Sequence, residues 1–262
     1  GNDYFDDTYY HNGKQKKYEG YCTDVFFYET IRFIKECNRK RKPFMIYLAP
    51  NVAHLPAIVG EEYSKKWKDL ERPSKQAIFY GMIDNLDENM GRLMLALEEE
   101  RIKENTIIVF TTDDGTAGYA AQFDDEERPT EYGFNMGQRG GKGSSYEGGH
   151  RLFSFVHYPR GQFKIKETNA LTSVMDIFPT LIDICDLKNT LSGSHDGVSF
   201  KPALYRNPIP ENEERQLFLV KLNPNEDVLL KKNKFCVIDG DWRWIDRNEL
   251  YNVKTDRSQK NN

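Results

Sequence analysis

A long amphipathic helix between two apolar runs constrains the fold of this chain more than any other feature. Apolar side chains recur at helical spacing across residues 76–101, which predicts a helix about seven turns long. Residues 44–50 precede it and residues 106–111 follow it, and both runs resemble strands that are buried on both faces. A strand, a long helix and a second strand form a crossover whose strands run parallel. The sequence therefore predicts an α/β fold with a mostly parallel sheet flanked by helices.

Further periodic segments lie on both sides of this crossover. Residues 24–40 have the spacing of a helix, with Thr23 as its N-cap. Residues 152–156 are predicted as a strand, and residues 172–187 as a helix with Pro179 near its first turn.

The texture of the sequence changes beyond Gly197. Prolines punctuate a linker, and the short runs after it predict a smaller antiparallel sheet: residues 216–220, 228–230, 234–238 and 242–245. We therefore expect two domains, an α/β domain over residues 1–200 and a small antiparallel subdomain over residues 201–262.

Charge and composition argue against several classes of partner. The net charge of −4 and the pI near 5.8 give no electrostatic basis for binding DNA, RNA or an anionic membrane. No apolar run approaches the roughly 18 residues of a membrane-spanning helix. The cysteines form no C-x-x-C pair, so we expect buried free thiols, with one disulfide as the open alternative: Cys22, Cys37, Cys185 and Cys236.

A pair of carboxylates follows the second apolar run. Asp113 and Asp114 lie where residues 106–111 end and the chain turns through Gly115, so both side chains can swing toward one ion. Carboxylate oxygens suit calcium or magnesium. The alternative is an ordinary Asp-Asp-Gly turn that caps the next segment. Residues 124–127 are either competing ligands or a solvated acidic surface.

A lysine among glycines lies further along the same loop. Lys142 stands between Gly141 and Gly143, which leave room for its ammonium to approach a tetrahedral anion; a mobile surface lysine is the alternative. Arg139 either shares that anion or forms an exterior ion pair with Glu147. An ammonium near a cation-holding acid pair indicates transfer or hydrolysis of a sulfate or phosphate ester.

Two histidines have different expected roles. His54 follows residues 44–50 and should lie on a loop at the same sheet edge as the acid pair, where it can protonate a leaving oxygen. A structural histidine is the alternative at that position. His150, beside Arg151, is expected to support the lysine loop rather than perform chemistry.

Several motifs occur in an order that resembles one enzyme family. They are Ala-Pro-Asn-Val-Ala-His-Leu-Pro at 49–56, the helical segment 80–91, Thr-Thr-Asp-Asp-Gly at 111–115, the lysine stretch 139–151, and Asp-Ile-Phe-Pro-Thr-Leu at 176–181. Together they resemble the carboxyl-terminal half of a type I sulfatase of the arylsulfatase kind, over nearly the whole chain. The closing segment 249–253 is similar to that family's ending.

The resemblance implies an alkaline-phosphatase-like sandwich that hydrolyses sulfate monoesters with a calcium ion and a formylglycine made from cysteine. By that resemblance, Asp113 and Asp114 match two calcium ligands, His54 matches a histidine near the leaving oxygen, and Lys142 matches the lysine bound to sulfate. Family members more often carry Asn or His at the position of Asp114. The added negative charge should tighten cation binding and weaken attraction for the anionic ester, which keeps magnesium open.

The family's nucleophile motif, Cys-x-Pro-x-Arg or Cys-x-Ala-x-Arg, does not occur in the sequence. Cys37 has Arg41 at the right spacing but carries Arg39 where Pro or Ala belongs. The resemblance thus implies a sulfatase fragment that is inactive alone, with the formylglycine in a missing N-terminal half of the same fold.

The expected partner is a sulfate-ester small molecule or a sulfated glycan, and the resemblance implies a secreted, periplasmic or lysosomal protein. Two alternatives are open: a phosphodiesterase or phosphatase of the same superfamily, and a non-catalytic protein that binds sulfated glycans.

Overall fold

The chain divides into two compact units, Gly1–Thr106 with Tyr119–Gln122, and Ile107–Gly118 with Phe123–Asn262. The structure, a computed structural model, describes residues 3–70, 74–118, 120, 135–188, 195–205, 215–220, 235–246 and 248–262. Within those ranges, no helix combines the length and the apolar composition needed to cross a membrane. The predicted domain boundary at residue 200 stays a prediction.

Helices form most of the first unit. A hairpin of β1 (Thr8–His11) and β2 (Lys14–Lys17) leads into α1 (Cys22–Arg39), and α2 (Glu61–Asp69) and α3 (Ser74–Glu99) follow. Helix α3 confirms the long helix predicted from periodicity, displaced by two residues at each end. Helix α1 confirms the helix predicted over residues 24–40.

Apolar and polar contacts together hold α1 against α3. The side chain of Met82 on α3 is completely buried in a cluster with Tyr21 and Cys22. Beside this cluster, the Nδ2 atoms of Asn85 and Asn89 donate hydrogen bonds to Oδ1 of Asp24, at 2.9 and 2.6 Å. Asn85 and Asn89 are buried, so the partly exposed Asp24 carboxylate supplies the acceptor that their amides require.

An antiparallel ribbon opens the second unit. Strands β3 (Ile108–Thr111) and β4 (Ser154–His157) pair with Thr111 opposite Ser154, and the short helix α4 (Glu147–His150) lies just before β4. This register brings the chain that leaves β3 and the chain that enters β4 to one end of the ribbon. The same unit contains α5 (Ile177–Ile184) and α6 (Lys201–Tyr205).

A four-stranded antiparallel sheet completes the second unit. Its strands follow in sequence order: β5 (Gln216–Val220), β6 (Phe235–Asp239), β7 (Trp242–Ile245) and β8 (Glu249–Asn252). Because side chains alternate between faces, one face forms a buried cluster of Leu217, Cys236, Ile238, Ile245 and Tyr251.

The small antiparallel sheet was predicted, and most of its strands are confirmed. Strands β5 and β7 have the predicted bounds, and β6 matches the run at 234–238 with a shift of one residue. Residues 228–230 lie outside the described part of the chain. Strand β8 was not predicted.

Residues 44–50 are a correction, because they form no strand. The segment has no regular secondary structure, and Met45 and Tyr47 are 78% and 90% exposed. An apolar run supplies side chains that suit a sheet, but it does not supply the neighbouring strand that the backbone hydrogen bonds require. The predicted parallel crossover to residues 106–111 is therefore not seen in the described residues, where β3 pairs antiparallel with β4.

Two helix starts also differ from expectation. Thr23 is not an N-cap: α1 begins at Cys22, whose N–H donates to the carbonyl oxygen of Tyr4 at 2.8 Å, and Thr23 is buried inside the first turn. The helix predicted over residues 172–187 is a 3₁₀ turn, Val174–Asp176, followed by α5. In both cases long-range or capping hydrogen bonds set the start of the helix.

All cysteines are free. Cys22, Cys37 and Cys236 are buried, as predicted for thiols, whereas Cys185 is exposed. The disulfide that the sequence left open is not formed.

Candidate functional site

The acid pair lies on the turn that follows β3 in the second unit. Asp113 is exposed, and no hydrogen bond to its carboxylate is seen among the described residues. Asp114 is half-buried, and its Oδ1 accepts hydrogen bonds from the N–H groups of Gly115 and Gly143 at 2.9 and 3.3 Å. The second of these bonds joins the acid turn directly to the glycine-rich stretch that carries Lys142.

The acid turn and the lysine loop also meet backbone to backbone. The N–H of Lys142 donates to the carbonyl oxygen of Thr116 at 2.9 Å, and the N–H of Gly115 donates to the carbonyl oxygen of Gly149 at 3.1 Å. The turn that carries Asp113 and Asp114 and the loop that carries Lys142 are therefore adjacent in the structure. That these three side chains form one site stays a prediction.

Glycine is required where the two segments touch. A Cβ atom on Gly115 would lie 2.0 Å from the carbonyl oxygen of Gly148, and a Cβ on Gly148 would lie 2.1 Å from the carbonyl oxygen of Gly140. Both positions face fixed backbone rather than a flexible side chain, so no larger residue fits without moving the loop. The close approach fixes the path of the chain on both sides of Lys142.

Lys142 itself is exposed, and no ion pair or hydrogen bond of its ammonium is seen within the described ranges. The contacts of Arg139 were not predicted. Its guanidinium lies 3.7 Å over the ring of Tyr146, and its Nη1 donates to the hydroxyl of Tyr251 at 3.1 Å and lies 3.7 Å from Oε2 of Glu249. Arg139 thus contacts the small sheet, and the exterior pair with Glu147 is not formed.

Glu147 is buried, and its partners were not predicted. Its carboxylate accepts hydrogen bonds from Nε of Arg243 and Nε of Arg151, both at 2.7 Å. Its backbone N–H donates to Oε1 of Gln259 at 2.8 Å. Burial by itself raises the pKa of Glu147, but the hydrogen bonds and charge of Arg243 outweigh burial and hold the pKa below its usual value. Arg243 and Gln259 carry no motif, so only the fold reveals them.

His150 is the last residue of α4, and its predicted support of the lysine loop stays a prediction. Burial lowers the pKa of its imidazole to about 4, although the nearby Glu147 carboxylate acts in the opposite direction. The ring is therefore neutral near pH 7, and its 4.0 Å approach to Glu147 is not an ion pair at that pH.

His54 lies in the first unit, on a loop as predicted. Its side chain is exposed, with Nδ1 2.8 Å from the carbonyl oxygen of Leu55. The backbone of the loop is fixed by a hydrogen bond from its N–H to Asn51 and by the hydroxyl of Tyr4, which donates to the carbonyl oxygen of His54 at 3.0 Å. The exposed ring is free to meet a ligand.

The acid pair fits part of a metal site. Asp113 offers both carboxylate oxygens to solvent, and Oδ2 of Asp114 accepts no hydrogen bond in the part of the chain that the structure covers. Calcium takes six to eight oxygen ligands. No group of three or more His, Cys, Asp or Glu in the described ranges is arranged to hold a metal. Residues 124–127, the other acidic candidates, lie outside those ranges.

Comparison with solved structures defines the fold class. The structure of Ps i-CgsB superposes with a TM-score of 0.80 at 24% identity, covering 97% of this chain and 53% of that one. The structure of BT4656 in complex with D-glucosamine-2-N,6-O-disulfate gives a TM-score of 0.61 at 18% identity, covering 100% of this chain and 69% of that one. The chain has an α/β, alkaline-phosphatase-like fold similar to that of these structures, with a small four-stranded antiparallel sheet.

The family follows from the sequence itself. The sulfatase family model matches residues 1–187, and the chain belongs to the sulfatase family. The uncharacterized sulfatase YdeN of Escherichia coli is 29% identical over 188 residues, covering 71% of this chain and 31% of YdeN. The N-acetylgalactosamine-6-sulfatase of Mus musculus is 24% identical over 242 residues, covering 92% of this chain and 42% of the enzyme. The chain thus spans less than half the length of these relatives.

Proposed function

We propose that this chain is part of a sulfuric ester hydrolase that cleaves sulfate monoesters. One observation carries the proposal: backbone contacts hold the loop that carries the exposed Lys142 against the turn that carries Asp113 and Asp114, whose carboxylates are of the kind that bind hard cations. A tetrahedral dianion or monoanion at this place meets positive charge from both sides once a cation is bound. Membership of the sulfatase family supports this reading.

The proposed roles follow from the chemistry of each group. Lys142 neutralises the charge on the sulfate oxygens and orients the ester. Asp113 and Asp114 hold part of the shell of one divalent cation, calcium with magnesium as the alternative, which supplies Lewis-acid polarisation of the sulfate when bound. His54 gives a proton to the leaving oxygen as its bond to sulfur breaks. The nucleophile, a formylglycine in the family, is proposed to lie outside this chain.

Sulfated carbohydrates are the proposed substrates. The mouse relative is named an N-acetylgalactosamine-6-sulfatase, and BT4656 was solved with a disulfated glucosamine. A structure of Ps i-CgsB in complex with k-i-k-neocarrahexaose also superposes on this chain, with a TM-score of 0.78. An exposed lysine beside a cation site suits a sulfate carried on a large, solvated sugar.

The proposal is tested in the intact protein that contains residues 1–262, with 4-nitrophenyl sulfate as substrate. Lys142→Ala should lower kcat by about 100-fold or more, because it removes a charge that stabilises the transition state. Asp113→Ala should abolish the rise in melting temperature that calcium causes in the parent. Lys254→Ala, at an exposed lysine of the small sheet, is the matched control and should retain activity.

Two results would overturn the proposal. Full activity in both the Lys142 and Asp113 variants would remove the assigned site. Ordinary turnover by residues 1–262 alone would show that the nucleophile is not elsewhere. A parallel assay with 4-nitrophenyl phosphate addresses the alternative ester, since a phosphonate monoester hydrolase of Agrobacterium radiobacter shares the fold at a TM-score of 0.51.

A further inference from the structure

The lysine loop is anchored on the small sheet by a buried ion pair. The carboxylate of Glu147 is almost fully buried, and Arg243 of β7 reaches it with Nε to Oε2 at 2.7 Å and Nη2 to Oε1 at 3.3 Å. Arg243 is buried as well, and its Nη1 donates to the carbonyl oxygens of Gly240 and Trp242, both at 2.8 Å. The guanidinium is thus held by its own strand and presents a fixed two-pronged donor to the loop.

A second contact lies beside the first. Arg139 donates to the hydroxyl of Tyr251 on β8, and the hydroxyls of Tyr146 and Tyr251 both donate to Glu249, at 2.9 and 2.6 Å to Oε2. Arg139 and Glu147 therefore tie two points of one loop, before and after Lys142, to adjacent strands of the same sheet.

The short helix α4 carries this anchor to the candidate site. The N–H of Gly148, the residue after Glu147, donates to the carbonyl oxygen of Arg139 at 2.7 Å, and Gly149 accepts from Gly115 on the acid turn. These contacts are backbone to backbone and leave no room for a side chain. A shift of Glu147 must therefore move the backbone around Lys142, because a close-packed interface of this kind has no slack.

We propose that Arg243 is a positioning residue: through its buried pair with Glu147, the small carboxyl-terminal sheet sets where the Lys142 ammonium lies. The inference rests on the proposed role of Lys142 and assigns a function to the small sheet. It also explains why the charged Arg243 lies on the buried face of the sheet, where an apolar residue would fill the same space.

A double-mutant cycle in the intact protein tests this inference. Arg243→Met should lower kcat on 4-nitrophenyl sulfate by roughly 100-fold, as expected for a misplacement of about 1 Å, and change KM less. The same substitution in a Lys142→Ala background should lower kcat by about twofold or less, because the ammonium it positions is already gone. Lys254→Met is the control, because it breaks only an exposed ion pair with Asp241 near the same strands. It should leave kcat unchanged both in the parent and in the Lys142→Ala background.

Hydrogen exchange of the intact protein gives a readout that needs no activity. Arg243→Met should speed exchange at the amides of Gly115 and Gly148, and Lys254→Met should not. If Arg243→Met does not fold, Arg243→Lys replaces it. Lysine keeps the positive charge but loses one of the two hydrogen bonds to Glu147, so the fall in kcat and the faster exchange should both be smaller.

The outcomes separate the two proposals. Loss of kcat in Arg243→Met that is equally large with and without Lys142 would overturn the positioning role, and so would a folded variant with unchanged exchange and unchanged kcat. If Lys142→Ala itself leaves activity intact, the proposed function fails, whatever Arg243 does.

Discussion

At the residue scale, the second unit places titratable groups in surroundings that fix their charge. Glu147 is held ionised by Arg243 and Arg151, while His150, three residues further on, is held neutral by burial. The two groups lie 4.0 Å apart, so protonating His150 would add a third cation close to Arg243 and Arg151. The carboxylate can balance only part of that charge. The neutral imidazole is therefore part of the folded structure of the loop.

The stability of the chain should fall as the pH falls because of His150. Its folded pKa, about 4, is below the ordinary value of 6.5, so acid protonates the unfolded chain first. The contribution of His150 to the free energy of unfolding is complete above pH 6.5, and it is lost as the pH falls from 6.5 toward 4. We expect His150→Gln to remove about 2 kcal/mol of the change in unfolding free energy between pH 8 and pH 5.

Urea denaturation across this pH range measures the effect. His157→Gln is the matched control, because His157 is exposed on β4 of the same unit. If His150→Gln and the parent lose the same unfolding free energy between pH 8 and pH 5, the imidazole of His150 is not held neutral by burial.

At the element scale, α3 shows what periodicity can and cannot determine. The apolar face predicted from the sequence includes both Met82 and Ile83, yet Met82 is fully buried and Ile83 is 42% exposed. The helix packs on α1 and α2, and Met82 lies in the buried cluster that contains Tyr21 and Cys22. Adjacent residues point about 100° apart, so only one of them can lie at the middle of the buried face.

Truncating these neighbours should give different losses of stability. We expect Met82→Ala to lower the free energy of unfolding by about 2–5 kcal/mol, because it leaves a cavity in a packed core. Ile83→Ala has the same helix and a similar change in volume, and should cost less than about 1 kcal/mol. Chemical denaturation measures both, and equal losses would contradict the observed orientation of the helix.

The elements that the sequence predicted share one property: their signal is local. In α1 and α3 the apolar residues recur about once per helical turn. In the small sheet each strand pairs with the strand next to it in the sequence. The strand predicted at residues 44–50 failed because its partner would have to come from elsewhere, and no pattern within the run reports that.

The candidate site divides in the same way. Asp113, Asp114 and Lys142 were predicted from short motifs whose glycines permit close approach, and the two segments that carry them are in backbone contact. Arg243 and Gln259, which anchor the loop, are about 100 residues away in sequence from the group they hold. A lone arginine in a strand and a lone glutamine near the terminus are ordinary, so contact is the only sign of their role.

At the scale of the whole molecule, both units expose large apolar side chains. Met45 and Tyr47 project from residues 44–50 of the first unit. In the second unit, Phe218, Trp242 and Trp244 are exposed on the small sheet. Large exposed apolar patches on soluble proteins mark surfaces that another chain or segment covers. The chain also spans about half the length of Ps i-CgsB. Both observations fit the proposal that the rest of a sulfatase fold completes this part.

Residues 1–262 alone should therefore associate and bind a hydrophobic dye. We expect the apparent mass in size-exclusion chromatography with light scattering to rise with concentration, and 8-anilinonaphthalene-1-sulfonate fluorescence to rise in native buffer. Replacing Met45 and Tyr47 together with serine should reduce both signals. Tyr10→Ser is the control: Tyr10 is 75% exposed, but it belongs to a hairpin whose second strand is polar, so its loss removes no patch. Two results would contradict this prediction: a monomeric chain that binds no dye, or equal effects from Tyr10→Ser. Either would show that Met45 and Tyr47 do not form a surface that associates with another chain.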